Sequence, residues 1–441
     1  MIDNNKISKF AISVIRDLQN NNFQAYLVGG CVRDALSGIE PKDFDIATNA
    51  TPEQVRKIFK ASRIIGKRFK LVHVFNRSEL LEVATFRSGN NQTNDDANLI
   101  KDDADITLIN GINYKAKDIA GLKVYDLNHT ISDQIKLTRG VATNSLSLLN
   151  SALCQNILFI EINETINEPI IVDCLQVSDA KIGVFSPRIY LSISENSKAS
   201  ILIRHNSDIS DDVVVNGFVE VKNSQNSDLE IIQLQIDGKN NRLLTTTFDV
   251  QENATISSVV LTSDGNMTRH DTVVNVQGKH ANINLKGLGL LSDDKRYLHH
   301  LTMTHNVTNT FGDQVFKNIL ADSAVSEFSG LVNVKEGSHE TISNQLNQNL
   351  ILSDKARALS RPQLIIDADD VECSHGCTIG QLDAEQIHYL KSRGFSEDEA
   401  RSILIFGFAK DIADSISNNE IKQRVEKHIR NKTKTFIEKN V

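Results

Sequence analysis

The rhythm of apolar and polar positions changes several times along the chain. Ile7, Phe10, Ala11, Val14, Ile15 and Leu18 recur at helical spacing, which predicts an amphipathic first helix. Ala25–Val28 reads as a buried strand, Gly29-Gly30 as a turn, Cys31–Leu36 as a short helix and Asp43–Ala47 as a second strand. Thr51-Pro52 supplies a cap and a first-turn proline for a helix whose Val55, Ile58 and Phe59 face inward. Lys70–Phe75 and Leu80–Phe86 predict a hairpin, which closes an α/β unit over residues 1–87. Residues 88–104 are polar, acidic and aperiodic and read as a linker. Residues 105–165 mix a short strand, Ile106–Ile109, with a helix around Leu146–Leu153.

From 166 to 382 short β-type runs follow one another, among them Ile189–Ile193, Ser200–Arg204, Val213–Val221, Leu229–Ile236 and Ile283–Leu285. Turns of Asn, Asp, Gly and Ser separate them. A polar turn followed by Ala, a polar and an apolar residue recurs at Lys198-Ala199-Ser200-Ile201, Asn253-Ala254-Thr255-Ile256 and His280-Ala281-Asn282-Ile283, at uneven spacing. No proline lies between Pro187 and Pro362, which suits a long stack of paired strands because proline removes a ladder donor. A β-helix fits this pattern better than a sandwich. Residues 383–441 return to helical spacing. Asp383 with Gln386 and Ser396 with Glu399 have the form of capping boxes, and Gly394 stands where a helix should end.

Composition narrows the class. The 441 residues are 40% apolar and 24% charged, which excludes a wholly disordered chain and suggests two to four domains. No apolar run approaches the roughly 20 residues of a membrane span, and the first residues lack a signal-peptide pattern. A net charge of −8 argues against a protein that coats nucleic acid, though not against a local basic groove. Five scattered cysteines, Cys31, Cys154, Cys174, Cys373 and Cys377, argue against a secreted disulfide framework and point to the cytoplasm.

Two constellations carry chemistry. Asp43-Phe44-Asp45 on a strand puts two carboxylates on one face, roughly 7 Å apart, a spacing that can hold Mg²⁺ and a nucleotide triphosphate. Gly29-Gly30 before a helix start, with Arg33 in its first turn, suits the phosphates. The string Leu27-Val28-Gly29-Gly30-Cys31-Val32-Arg33-Asp34-Ala35-Leu36, with Lys42-Asp43-Phe44-Asp45-Ile46-Ala47-Thr48 and Glu82-Val83-Ala84-Thr85-Phe86-Arg87, resembles the head of the poly(A) polymerase and tRNA CCA-adding nucleotidyltransferase family. The resemblance implies Asp43 and Asp45 as Mg²⁺ ligands and catalytic carboxylates, Gly29, Gly30 and Arg33 as triphosphate contacts, and RNA as a partner. It covers about one fifth of the chain. Glu397-Asp398-Glu399-Ala400-Arg401 matches the family's base-selecting motif only in form; acids in a capped first turn are expected anyway.

In the second constellation, Asp369-Asp370-Val371-Glu372-Cys373-Ser374-His375-Gly376-Cys377, a strand continuing from Leu364 would point Cys373, His375 and Cys377 to one face. Thiolate and imidazole suit iron, Fe–S clusters or zinc, but three donors on one strand need further ligands from elsewhere. A buried Cys and a hydrogen-bonded core His is the plainer reading of the residues alone. Leu350-Ile351-Leu352-Ser353-Asp354-Lys355-Ala356, Arg361-Pro362-Gln363-Leu364, Ala368-Asp369-Asp370-Val371-Glu372-Cys373-Ser374-His375-Gly376 and Gly380-Gln381-Leu382-Asp383 resemble the SufB/SufD family of Fe–S cluster assembly scaffolds, in its SufD branch. This resemblance extends over about residues 105–420. It implies a right-handed parallel β-helix flanked by helices, pairing with SufB, and docking of the SufC ATPase on the C-terminal helices. It also implies iron or Fe–S cluster handling at His375 and Cys373; Cys377, where the family has a small non-thiol residue, is a further candidate ligand.

The other candidates are weaker. His299, His300 and His305 read as hydrogen-bonded or solvent-facing rather than metal-binding. Lys422, Arg424, Lys427, Arg430, Lys432 and Lys434 read as an exposed helix face before an RNA contact. No Walker loop occurs, so any ATP hydrolysis belongs to a partner. The expected protein is a SufD-like scaffold carrying a nucleotidyltransferase-like head. The alternatives are a Mg²⁺-dependent RNA 3′-end nucleotidyltransferase, or a rearranged reading frame that joins two parts across 88–104.

Overall fold

A computed structural model describes residues 8–21, 23–28, 44–65, 71–76, 79–85, 103–109, 112–126, 144–177, 183–208, 213–236 and 238–439. The chain divides into two compact units, 1–101 and 102–441.

In the first unit, helix Lys9–Asn20 starts where the Ser8 hydroxyl accepts from the N–H groups of Phe10 and Ala11, and it buries Ala11, Val14 and Leu18. Thr51 and Gln54 form a capping box on helix Pro52–Ile58. A five-stranded sheet runs in the order 25–28, 45–48, 80–85, 71–75, 62–65. All pairs are antiparallel except 45–48 with 80–85, which is parallel. Alternation sorts the two faces. Ile46, Val83 and Val72 share a row and are buried with the helical residues, whereas the neighbouring row of Asp45, Glu82, His73 and Arg63 faces the other way.

The second unit is a parallel β-solenoid of about seven turns across 158–380. Successive long strands alternate between two sheets, so each strand lies on the one about a turn earlier: Ile231 lies on Ile201, and Ile342 on Phe311. Strands Ile106–Ile109 and Leu122–Asp126 extend the two sheets at the N-terminal end. The uneven spacing seen in the sequence has a structural cause. Asn196, Asn226, Asn253, His280, Asn309, Glu340 and Asp370 stack at one corner with φ between 54° and 59°, a conformation that asparagine tolerates better than most residues. The Asn226 amide donates to Asn196 Oδ1 and that of Asn253 to Asn226 Oδ1, each at 3.0 Å. A small buried residue follows most of these corners, as at Ser227, Ala254, Ala281 and Thr310. Ala199 is not part of that column; it lies beside Leu229, two residues further into its strand.

Most of the later strands span ten residues, longer than the apolar runs suggested. Asn282–Leu291 continues well past the predicted Ile283–Leu285, because polar side chains occupy many lumen positions and hide the alternation. The strand holding Leu364 does not continue to Cys373. Arg357–Ile366 ends in one sheet, the chain turns at Asp370, and Glu372–Gly380 begins in the other. Pro362 sits in the last strand of its sheet, where its missing N–H costs least.

Helices Ala384–Ser392, Glu397–Asp414 and Asn419–Lys439 follow. Ser396 and Glu399 form a capping box; Asp383 caps the N–H of Glu385 without the reciprocal bond from Gln386. Gly394 follows the first of these helices with φ +96°. Four of the six basic side chains named on the last helix are engaged within the protein. Lys432 binds Asp264 at 2.9 Å, Arg424 binds Asp103 at 3.0 Å, Lys422 binds Asp414 at 2.7 Å, and Arg430 lies over the Phe406 ring. Among the described residues no helix is long and apolar enough to cross a membrane.

Candidate functional site

The C-terminal end of the solenoid is open. Among the described residues Arg357–Ile366 and Glu372–Gly380 each pair on one side only, with Val325–Val334 and Ile342–Ile351. Their outer edges therefore present unpaired backbone groups, a template for another strand. Register decides what the last strand shows. Cys373 lies on Ser343, His375 on Gln345 and Cys377 on Asn347. Those three lower residues are at most 2% exposed and face the lumen. Cys373, His375 and Cys377 occupy the same lumen positions one rung later, where nothing covers them. Cys373 is half-buried, and His375 and Cys377 are exposed. Ile366 and Ile379, also above buried lumen residues, are exposed with them.

Burial pushes the Cys373 thiol up from its ordinary range, partly offset by a backbone hydrogen bond at Ser343. A metal ion would have to displace its proton. Alternate donors on one strand stand roughly 7 Å apart, so two neighbours can share an ion but the three do not by themselves make a closed tetrahedral site. Consistently, among the described residues no three His, Cys, Asp or Glu side chains converge on a metal-sized site. Thiolate and imidazole are donor types that suit iron or a cluster, and these three would need further ligands to complete a set.

In the head, Gly29, Gly30, Arg33 and Asp43 lie outside the described residues. Asp45 is described and half-buried, directly across from Glu82 in the parallel pair. Glu82 in turn meets His73, whose Nε2 is 3.0 Å from its Oε1. Sequence reasoning noted the Glu82 string but gave Glu82 no role, since only the long-range pairing of the two strands reveals its place beside Asp45.

The remaining histidines are structural. His299 and His305 are buried and hydrogen-bonded, His299 to Tyr297 at 2.9 Å and His305 to Thr310 at 2.8 Å. His300 is half-buried, 3.7 Å from Asp271. Cys174 is sealed in the core, which raises its thiol pKa and makes it inert.

The family model described as the SufBD core domain of SUF-system FeS cluster assembly matches residues 176–408, more than half of the chain. The chain belongs to the SufBD core family. The match takes in every solenoid strand from Gly183 onward, with Cys373, His375 and Cys377, and the beginning of the helical tail. Escherichia coli SufD is 32% identical over 174 residues, 40% of this chain and 41% of that one. A SufBD family protein of Synechocystis is 29% identical over 292 residues, 64% of this chain and 63% of its own. The head is similar to a second family. The poly(A) polymerase head model matches 25–135, and poly(A) polymerase I of Salmonella typhi is 50% identical over 95 residues, 22% of this chain and 20% of that enzyme. The chain thus spans from a fifth to just under two thirds of these relatives. The head match runs past the end of the first unit, although strands 106–109 and 122–126 are built into the SufBD solenoid.

Proposed function

We propose that this SufBD-family chain works as a non-enzymatic SufD-type scaffold in the cytoplasm, pairing through its open solenoid end with a SufB-like partner. The C-terminal helices, with Tyr389, Phe395 and Ile403 exposed, dock a SufC-like ATPase. Iron or a nascent Fe–S cluster is the cargo, held transiently at the covered end. The observation that supports this reading is the uncapped last rung, which puts His375, Cys373 and Cys377 in lumen positions that only another subunit can enclose. His375 supplies an imidazole nitrogen, Cys373 and Cys377 supply thiolates, and the exposed strand edges supply backbone pairing.

Anaerobic co-purification with the two partner types tests it. Ile366→Lys with Ile379→Lys is expected to abolish recovery of the SufB-like partner. His375→Ala should leave recovery intact and lower bound iron at least tenfold. Unchanged iron in His375→Ala would remove the metal role.

A second reading concerns the head, and the register of Asp45 with Glu82 favours it. There the chain adds nucleotides to an RNA 3′ end, with Asp43 and Asp45 holding Mg²⁺, Glu82 completing the carboxylate set, and Gly29, Gly30 and Arg33 on the triphosphate. With labelled ATP, Mg²⁺ and RNA, incorporation is expected in the wild type, absent in Asp45→Ala and at least a hundredfold lower in Glu82→Gln. A wild type that incorporates nothing sinks this reading.

A further inference from the structure

Beneath His375 the lumen holds a directed column of side chains. Gln314 lies one rung below Gln345, and Gln345 one rung below His375. Both amides are essentially sealed from solvent. Gln314 Nε2 donates to Met303 Sδ at 3.4 Å, and Gln345 Nε2 donates to Gln314 Oε1 at 2.7 Å. Each amide thus donates downward and offers its carbonyl upward. Gly330 makes room for this arrangement: a Cβ there would fall 2.4 Å from Gln345 Nε2. At the top of the column Gln345 Oε1 is buried without a hydrogen-bond partner, an omission that burial makes costly. The next residue in register is His375, whose ring has no hydrogen bond among the described residues. Adjacent rungs are about 4.8 Å apart, within reach of a ring N–H.

We infer that Gln345 is the positioning residue for His375: its Oε1 accepts the imidazole N–H, which fixes one tautomer and leaves the other nitrogen's lone pair facing the open end. This rests on the reading of His375 as a ligand for iron or a cluster. The chemistry requires such a device, because a ligating imidazole must present an unprotonated nitrogen, and the hydrogen bond at its other nitrogen decides which one that is. The column itself, Met303, Gln314 and Gln345, carries no charged side chain. Its polarity is set two rungs down, at Met303, an acceptor with no hydrogen to donate.

The test uses the full chain labelled with ¹⁵N-histidine at pH 8, with His375→Asn identifying the His375 signals. Two-bond proton–nitrogen correlation is expected to show one tautomer of His375 in the wild type, a mixture in the near-isosteric Gln345→Met, and one tautomer again in Gln345→Glu, which keeps the acceptor. Anaerobic Co²⁺ titration should show affinity about 10–100-fold weaker in Gln345→Met. An unchanged tautomer in Gln345→Met overturns the inference. A tautomer change together with Co²⁺ binding that ignores His375→Asn upholds the hydrogen bond and removes the ligand role beneath it.

Discussion

Arg204→Met is expected to destabilise the solenoid by about 3–5 kcal/mol, the usual consequence of stranding one partner of a buried ion pair. Arg204 is 1% exposed and grips both carboxylate oxygens of Asp173, with Nη2 at 2.9 Å from Oδ2. Nη2 also reaches Asp103 Oδ1 at 2.9 Å, and the other oxygen of Asp103 accepts from Arg424 on the last helix. Burial raises the Asp173 carboxyl above its ordinary range even with Arg204 beside it. Without the guanidinium the carboxylate would sit uncompensated in the core. Urea unfolding measures the effect. The companion Arg204→Met with Asp173→Leu should recover most of the loss, because it removes both charges. A double variant as unstable as the sum of the two single ones would refute the ion-pair account.

Acid should weaken the same unit through its buried imidazoles. Burial holds His205 and His305 at about 4 and His270 at about 3, and holds His299 well below its ordinary value. The Arg242 charge adds to the effect at His205, and His205 adds to it at His270. In the unfolded chain each imidazole takes up a proton near pH 6.5. The folded pKa values are depressed, so this stability is fully present above pH 6.5 and drains away as the pH falls towards 4. Each histidine costs about 1.4 kcal/mol per pH unit within that window. The urea midpoint should be level from pH 8 to 7 and drop steeply between 6.5 and 4. His270→Gln, which can keep the bonds to Thr246 and Gln235, should flatten the slope by about one proton; an unaltered slope would refute neutral burial. Asp103 and Asp264 are held low by their cationic partners, which outweigh burial. They lose their share only at still lower pH.

The open end and the head face expose what local pattern can and cannot reveal. Alternation is local, so Cys373, His375 and Cys377 read as one face although the strand itself was misassigned. Gln345 is 30 residues earlier in the chain, and Glu82 is 37 residues after Asp45. Nothing in either spacing marks a contact. The basic stretch of the last helix looked like a solvated face because Asp103 and Asp264, which pair with Arg424 and Lys432, are 321 and 168 residues upstream.

Periodicity, turn chemistry and the absence of proline were enough to predict stacked strands, a helical tail and an α/β head, because those depend on φ/ψ preference and on which side of one element is apolar. Corner conformations, the buried imidazoles, the direction of the amide column and the bare final rung came from coiling alone. Stacking brings residues about 30 positions apart to within 5 Å, and the last turn has no successor to cover what its strands turn inward.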